Sequence, residues 1–283
     1  MDNLDERTVA GFGEEWRRLD QSRLDQEELQ RTFELYFRIF PWSALPEEPI
    51  GFDIGCGSGR WARCVAPRVT RLHCIDASPQ ALIVARRNLA MFDNCEFHLA
   101  SVDSMPLRDG SMDFGYALGV LHHLPDTLAG IRSCVAKLKA GAPLLLYLYY
   151  ALENRPGWYR ALWRLTDLAR LRISRFPRFA RFFASEAIAA LVYYPLARIS
   201  HVLEGLGVRV DGFPLAAYRD RSFYSMRTDA LDRFGTRLER RFSASEVRSM
   251  MEAADLEGVV ISDSVPYWCA LGYKSAAKNA VTP

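Results

Sequence analysis

The stretch Gly51-Phe52-Asp53-Ile54-Gly55-Cys56-Gly57-Ser58-Gly59-Arg60 constrains this chain's fold more than any other. An apolar run ends in Asp-x-Gly-x-Gly-x-Gly and opens into a helix near Arg60. Glycines let the backbone turn sharply and approach a ligand where a Cβ would collide. In an open α/β sheet, the first strand-to-helix turn faces the crevice where ligands bind. The string is not a dinucleotide fingerprint. Gly-x-Gly-x-x-Gly begun at Gly55 would need glycine where Arg60 stands, and begun at Gly57 would need it where Ala62 stands. The Lys-Ser/Thr ending of a phosphate-binding loop is also missing. Asp53 would repel a pyrophosphate but suits a ligand bearing an ammonium group.

Around this turn the pattern is a strand–helix alternation. Short apolar runs at 49–54, 71–75, 96–99, 112–118 and 144–149 are separated by helical stretches. Ser78 is placed to cap one helix with Pro79 at its first position, and 127–138 is amphipathic and ends in Lys-Ala-Gly. Such alternation predicts an α/β fold with a doubly wound parallel sheet. Ser243 and Glu246 form a capping box for a helix over 244–254, and runs at 259–263 and 268–273 bring the strands to seven. Residues 1–48 read as helical. Between 151 and 240 the composition changes to 16 arginines, no lysine and nine acids, with 14 of the chain's 34 Phe, Trp and Tyr residues. This stretch is read as helices inserted after strand five, splitting the sheet domain into 49–150 and 241–275.

With 283 residues the chain is long enough to bury a core without disulfides or metals. A net charge of +2 opposes a dedicated nucleic-acid binder. The six cysteines form no CxxC pair, and His73 beside Cys74 lacks the second half of a zinc spacing. No metal is expected. The polar N-terminus is not a signal peptide, and the most apolar stretch, 182–199, is broken by Glu186, Pro195 and Arg198. The expectation is a soluble, cytoplasmic protein.

Asp76 ends the second strand run, where a carboxylate can accept hydrogen bonds from both hydroxyls of a ribose. At this point the chain resembles the class I S-adenosylmethionine-dependent methyltransferases, in the small-molecule branch similar to ubiquinone and menaquinone biosynthesis C-methyltransferases. The matching strings are 52–59, Cys74-Ile75-Asp76, Met105-Pro106-Leu107, 109–114, Gly119-Val120-Leu121-His122-His123-Leu124 and 138–143. The resemblance implies a Rossmann-like sheet, S-adenosylmethionine as cofactor, Gly55 and Gly57 against its methionine part, and Asp76 on its ribose. Asp53, Cys56, Ala77, Gly119 and Val120 belong to the same expected contact set. Ser101 stands where the family usually has an aspartate near the adenine, so Ser101 or Asp103 meets the base, with Val102 as a further contact. Gly11-Phe12-Gly13-Glu14-Glu15-Trp16 resembles an N-terminal lid, placing Phe12 and Trp16 over the cofactor; a staple within an N-terminal helix is the alternative.

For the acceptor, His122 and His123 follow the fourth strand, and a histidine is suited to removing a proton near neutral pH. Either can serve as base or pack as a structural pair. Tyr150, on the opposite face from Tyr147 and Tyr149 by strand alternation, is a candidate for the acceptor pocket. In Tyr218-Arg219-Asp220-Arg221-Ser222-Phe223-Tyr224, Arg219 or Arg221 is expected to clamp an anionic or polyhydroxylated acceptor, with Tyr224 nearby. Trp158, Trp163, Leu171, Phe176, Phe179, Phe182 and Phe183 are expected to pack on the main domain or in a homodimer contact, in preference to a membrane surface. The expected activity is O-, N- or C-methylation of a metabolite, with no nucleic-acid partner. The competing readings are an RNA or protein methyltransferase, and a regulatory protein that binds the cofactor without turnover. Against adenine-amine methylation, the Asn/Asp-Pro-Pro-Tyr/Phe string is missing after the fourth strand.

Overall fold

The computed structural model describes residues 3–210 and 212–276. Two helices come first, α1 (Glu6–Arg18) and α2 (Gln26–Tyr36). Each starts at an aspartate, Asp5 or Asp25, whose carboxylate accepts from the backbone N–H three residues on. That satisfies a donor the helix itself leaves unpaired. The alternating part follows as β1 (Ile50–Ile54), α3 (Ala62–Val65), β2 (Arg71–Asp76), α4 (Pro79–Asn88), β3 (Cys95–Leu99), β4 (Phe114–Leu118), α5 (Thr127–Lys137) and β5 (Pro143–Tyr147). Next come α6 (Gly157–Ile173), α7 (Arg178–Ile188), α8 (Tyr194–Gly205) and α9 (Phe223–Gly235). α10 (Ala244–Ala253), β6 (Leu256–Ile261) and β7 (Cys269–Lys274) complete the chain.

The strands form one seven-stranded sheet in the order β3-β2-β1-β4-β5-β7-β6. It is not wholly parallel. β7 runs antiparallel to β5 and β6, because the link between β6 and β7 is far too short for the crossover that parallel pairing requires. The order reverses between β1 and β4, so the loops after these strands diverge and open a crevice at their C-terminal ends.

Strand alternation fills both faces. Phe52, Ile54, Ile75, Leu144 and Leu146 pack with α5 and α10 on one side. Leu72, Cys74, Phe114, Tyr116 and Leu145 pack on the other with Leu82 and Leu89 of α4 and with Leu29, Phe33 and Phe37. One face of α2 therefore belongs to the sheet's core.

The insertion after β5 has a small core of its own, with Ala189, Tyr193, Ala197, Met226, Ala230 and Phe234. α7 and α8 are joined through a π-helical turn at Ala189–Tyr193 into one helix, Arg178–Gly205, long and apolar enough to cross a membrane by length and composition. Polar ties hold its inner side to the rest of the insertion. Arg227 Nε donates to Glu186 at 2.8 Å, and Arg198 donates to the carbonyls of Arg219 and Arg221. Its outer side is bare. Phe179, Phe183, Leu191, Val202 and Leu206 are exposed, as are Trp158, Leu165 and Leu168 of α6. Of the residues expected to pack on the main domain or in a dimer contact, Trp158, Leu171, Phe176, Phe179 and Phe183 are exposed and so are not covered by the main domain.

Candidate active site

A cavity of about 1230 Å³ lies where the sheet's C-terminal loops, α1, α2 and the insertion meet. At one end is the glycine turn. Gly55 and Gly57 have φ of +66° and +55°, a left-handed conformation that costs residues with a Cβ roughly 1–2 kcal/mol. A Cβ on Gly55 would lie 2.4 Å from Val120, and one on Gly57 would lie 2.8 Å from the Trp16 ring. α1 lays the Trp16 indole against the turn, with Phe12 also lining the cavity.

Asp76 reaches the cavity from the end of β2. Its carboxylate accepts from Gly57 N at 2.9 Å and Ser78 N at 2.8 Å. Burial raises this carboxyl, and the two N–H donors pull it partly back. Cys56, Ala77, Ser101, Val102, Gly119 and Val120 also line the space, as expected.

Five polar atoms on the cavity's lining residues are buried and have no hydrogen-bond partner among the described residues: Thr8 Oγ1, Glu15 Oε1, Ser58 Oγ, His123 Nε2 and Trp163 Nε1. Burial pushes the Glu15 carboxyl well above the usual carboxylate range. An unpartnered acid beside a glycine cradle and a ribose-type carboxylate fits a ligand with sugar hydroxyls and a positive charge. The residues present therefore fit S-adenosylmethionine. Glu15 was missed by the sequence reading, although Thr8, Phe12, Glu15 and Trp16 fall at helical spacing on one face of α1.

Several expected residues lie elsewhere. Asp53 is buried within β1 beside Tyr116 rather than lining the cavity, and burial holds its carboxyl well above the usual range. Its Oδ2 is buried and has no hydrogen-bond partner among the described residues. The Gly57 backbone serves by donating to Asp76. Asp103 is turned away, where its carboxylate accepts from Asn3 N and Ser101 Oγ and anchors the segment before α1. Ser101 is thus the member of that pair left at the cavity.

On the acceptor side the histidines part company. His122 is fully buried, stacks on Tyr149 at 3.9 Å and does not line the cavity. Burial pushes its pKa well below the ordinary histidine value, so the ring is a neutral packing element. His123 lines the cavity. Its Nδ1 lies 2.6 Å from the carbonyl of Leu238, and a carbonyl can only accept, so Nδ1 carries the hydrogen in the neutral ring. Nε2 then holds the free lone pair, and it has no partner among the described residues. This is the arrangement a general base needs.

Tyr150 lines the cavity as expected, its hydroxyl accepting from Arg155 Nε at 3.3 Å. Tyr147 and Tyr149 line it as well, because the chain leaves the regular strand after Tyr147 and the alternation no longer separates them. Tyr149 donates to Asp232 at 2.5 Å. Arg219 and Arg221 also line the cavity, but both are engaged. Arg219 pairs with Glu204, and Arg221 pairs with Asp229 at 3.2 Å and lies over the Tyr218 ring. Arg221 is partly buried; desolvation works against its charge, but Asp229, Tyr218, Tyr36 and Glu28 together raise its pKa. An anion clamp would have to break these pairs. Tyr224 is outside the cavity, its hydroxyl accepting from Gln21 N and tying α9 to the segment between α1 and α2.

Comparison with known proteins places this geometry. Residues 52–146 match a family described as "Methyltransferase domain". Within the curated proteins, the chain is similar to a ubiquinone biosynthesis O-methyltransferase of Xanthomonas campestris pv. campestris (strain B100), 33% identical over 105 residues. That match covers 36% of this chain and 44% of the relative. A second, from Xanthomonas axonopodis pv. citri (strain 306), is 33% identical over 104 residues, covering 35% and 44%. The chain thus spans less than half the length of the curated relatives it matches. Among solved structures, an O-methyltransferase family protein from Burkholderia thailandensis superposes with a TM-score of 0.54 at 14% identity, covering 97% of this chain and 61% of that one. It shares the fold. The matched residues contain the glycine turn, Asp76, Ser101, Val102 and His123, whereas Glu15, Trp16, Tyr150 and Asp232 lie outside them.

Proposed function

We propose that this chain transfers a methyl group from S-adenosylmethionine to an oxygen of a large, mostly apolar acceptor, with His123 as the base. The observation that carries this reading is the cavity's extent. At about 1230 Å³ it exceeds the usual range of a small-ligand site. Beyond the cofactor end its walls include Leu152, Leu162, Ile188, Val192, Leu196 and Phe213. When bound, S-adenosylmethionine supplies a methyl carbon activated on a positively charged sulfur. Gly55, Cys56 and Asp76 hold the cofactor, with the Gly57 N–H fixing the Asp76 carboxylate; Glu15 offers a carboxylate to its ammonium. His123 Nε2 accepts the acceptor's hydroxyl proton, while Leu238 keeps the ring in the required tautomer. Phe12 and Trp16 exclude water from the transfer. Alignment alone can supply roughly 7–11 kcal/mol of the barrier reduction in such a displacement. The relatives' name, ubiquinone biosynthesis O-methyltransferase, supports oxygen as the methylated atom.

We further place the outer face of α6–α8 on an anionic membrane surface. The insertion's 16 arginines and absence of lysine complement anionic headgroups, and arginine stems can lie along apolar surface with their charges in the headgroup layer. The ties from Glu186 and Arg198 to the insertion favour lying on a bilayer over crossing it. Leu162 and Val192 both line the cavity and stand 42% and 43% exposed, so an apolar acceptor can enter from that face without crossing water.

The test is methyl transfer from labelled S-adenosylmethionine to a phenol with a long alkyl tail and to the same phenol without it. The tailed compound should have a kcat/KM higher by about tenfold or more, since each buried methylene is worth roughly 0.8 kcal/mol. Equal rates, or label found only in RNA or protein, would contradict the reading.

A further inference from the structure

Outside the cavity, strand pairing brings together three side chains that the linear sequence keeps apart. His73 on β2 lies directly across the parallel pair from Glu96 on β3, and His98 follows two residues on. All three therefore leave the same face of the sheet. His73 Nδ1 is 3.0 Å from His98 Nε2 and 3.3 Å from Glu96 Oε2, and His98 Nε2 is 4.0 Å from Glu96 Oε2. Bonds of about 2.0–2.1 Å to a tetrahedral zinc ion set its ligand atoms roughly 3.3 Å apart. The three atoms already stand near three corners of that tetrahedron.

We propose that His73, Glu96 and His98 bind a zinc ion, with water as the fourth ligand. Two imidazoles and one carboxylate form a ligand set zinc accepts readily. Arg71 Nε lies 3.2 Å from Glu96 Oε1, which holds that oxygen and leaves Oε2 towards the rings, an outer-shell role of the kind that orients metal ligands. Burial lowers the pKa of both histidines and so favours the neutral form that ligates. His73 is buried while Glu96 and His98 are partly open, giving an ion a path from solvent. Without metal, one hydrogen lies between His73 Nδ1 and His98 Nε2. On binding it moves through solvent to the remote nitrogen of its own ring, and no net proton is released by that shift. The ion staples the edge strand β3 to β2, three residues before Asp76 on one strand and three before Ser101 beyond the other.

The experiment titrates zinc into the chelator-treated full chain against a chromogenic competitor, with cobalt(II) substitution as the geometric readout. Wild type should bind one ion per chain and give the intense visible bands of tetrahedral cobalt. Glu96→Gln and His98→Gln should each weaken binding by about tenfold or more, and their circular dichroism should match that of the metal-free wild type. Zinc-induced shifts of the His73 and His98 ring resonances in wild-type protein provide a second readout independent of any variant. Binding no tighter in wild type than in the Glu96→Gln/His98→Gln double variant would overturn the proposal. So would binding that both variants retain and that thiol alkylation removes, which would assign the ion to the free cysteines.

Discussion

Leu144, Leu145 and Leu146 on β5 are wholly buried, whereas Leu165, Leu168 and Leu191 on the helices that follow stand more than half exposed. The contrast extends to charge. Within the sheet domain Arg86 and Arg87 lie on the outside, but in the insertion Arg170 is 5% exposed, bonded to Asp167 and to the carbonyl of Thr236, and Arg221 is partly buried against Asp229. The sheet domain buries apolar groups and displays polar ones. The insertion departs from that, drawing Arg170 inward and turning leucines and phenylalanines outward, while Arg160, Arg164, Arg172, Arg175 and Arg178 stay exposed among them. On the membrane proposal, a lipid surface covers that apolar outer face. The cofactor end belongs to the rigid domain and the acceptor end to the insertion, so changes in the two should separate.

The largest effect should come from the domain side. Gly57→Val puts a branched side chain at a left-handed φ and against Trp16. S-adenosylhomocysteine binding should fall below detection by calorimetry, while vesicle binding by the insertion is unchanged. Concurrent loss of both would show that the two regions are not separable.

Next is His123, at the seam. His123→Gln should lower kcat by about 10²–10⁴-fold, the span typical of a lost general base, with cofactor affinity little changed. A fully active variant would mean that the acceptor needs no base here. His122→Gln should act on thermal stability instead, because that ring packs against Tyr149 away from the cavity.

The fold was largely legible in the sequence, the site only partly. Glycines at 55 and 57 carry their meaning locally, since only a tight turn with positive φ calls for them in that order, and Asp76 follows at a strand end. Periodicity gave the inserted helices but not which face they bury, because in α6 and α8 apolar residues stand both against the cavity and towards solvent. Density of polar groups misled at 218–224. Arg219 and Arg221 do line the cavity, yet they are paired with Glu204 and Asp229, while Tyr224 is spent on Gln21 and Ser222 and Ser225 on Glu28. The His73–Glu96–His98 group was invisible because its spacing exists only across paired strands.

On the insertion side, Phe179→Asp with Phe183→Asp should cut binding to anionic vesicles by about tenfold or more, since each buried phenylalanine is worth roughly 1.5–3 kcal/mol. Activity on a short water-soluble phenol should persist. Vesicle binding unaffected by these changes, with a dimer lost instead, would make the face a contact between copies.

The smallest effect is a pH dependence. Burial raises the Glu15 carboxyl above its unfolded value, so folding of the free chain takes up a proton in that window and stability falls as pH rises through it. A cationic ligand favours the ionised carboxylate, so cofactor affinity rises with pH across the same window, by at most about tenfold per pH unit. Glu15→Gln should flatten that rise; a profile identical to wild type would remove Glu15 from the site.

The most direct measurement is calorimetry of the purified full chain with S-adenosylhomocysteine. The account predicts saturable binding of one molecule per chain that Gly57→Val abolishes. Absence of heat with this compound and with S-adenosylmethionine, alongside ready binding of a nicotinamide or flavin dinucleotide, would contradict it.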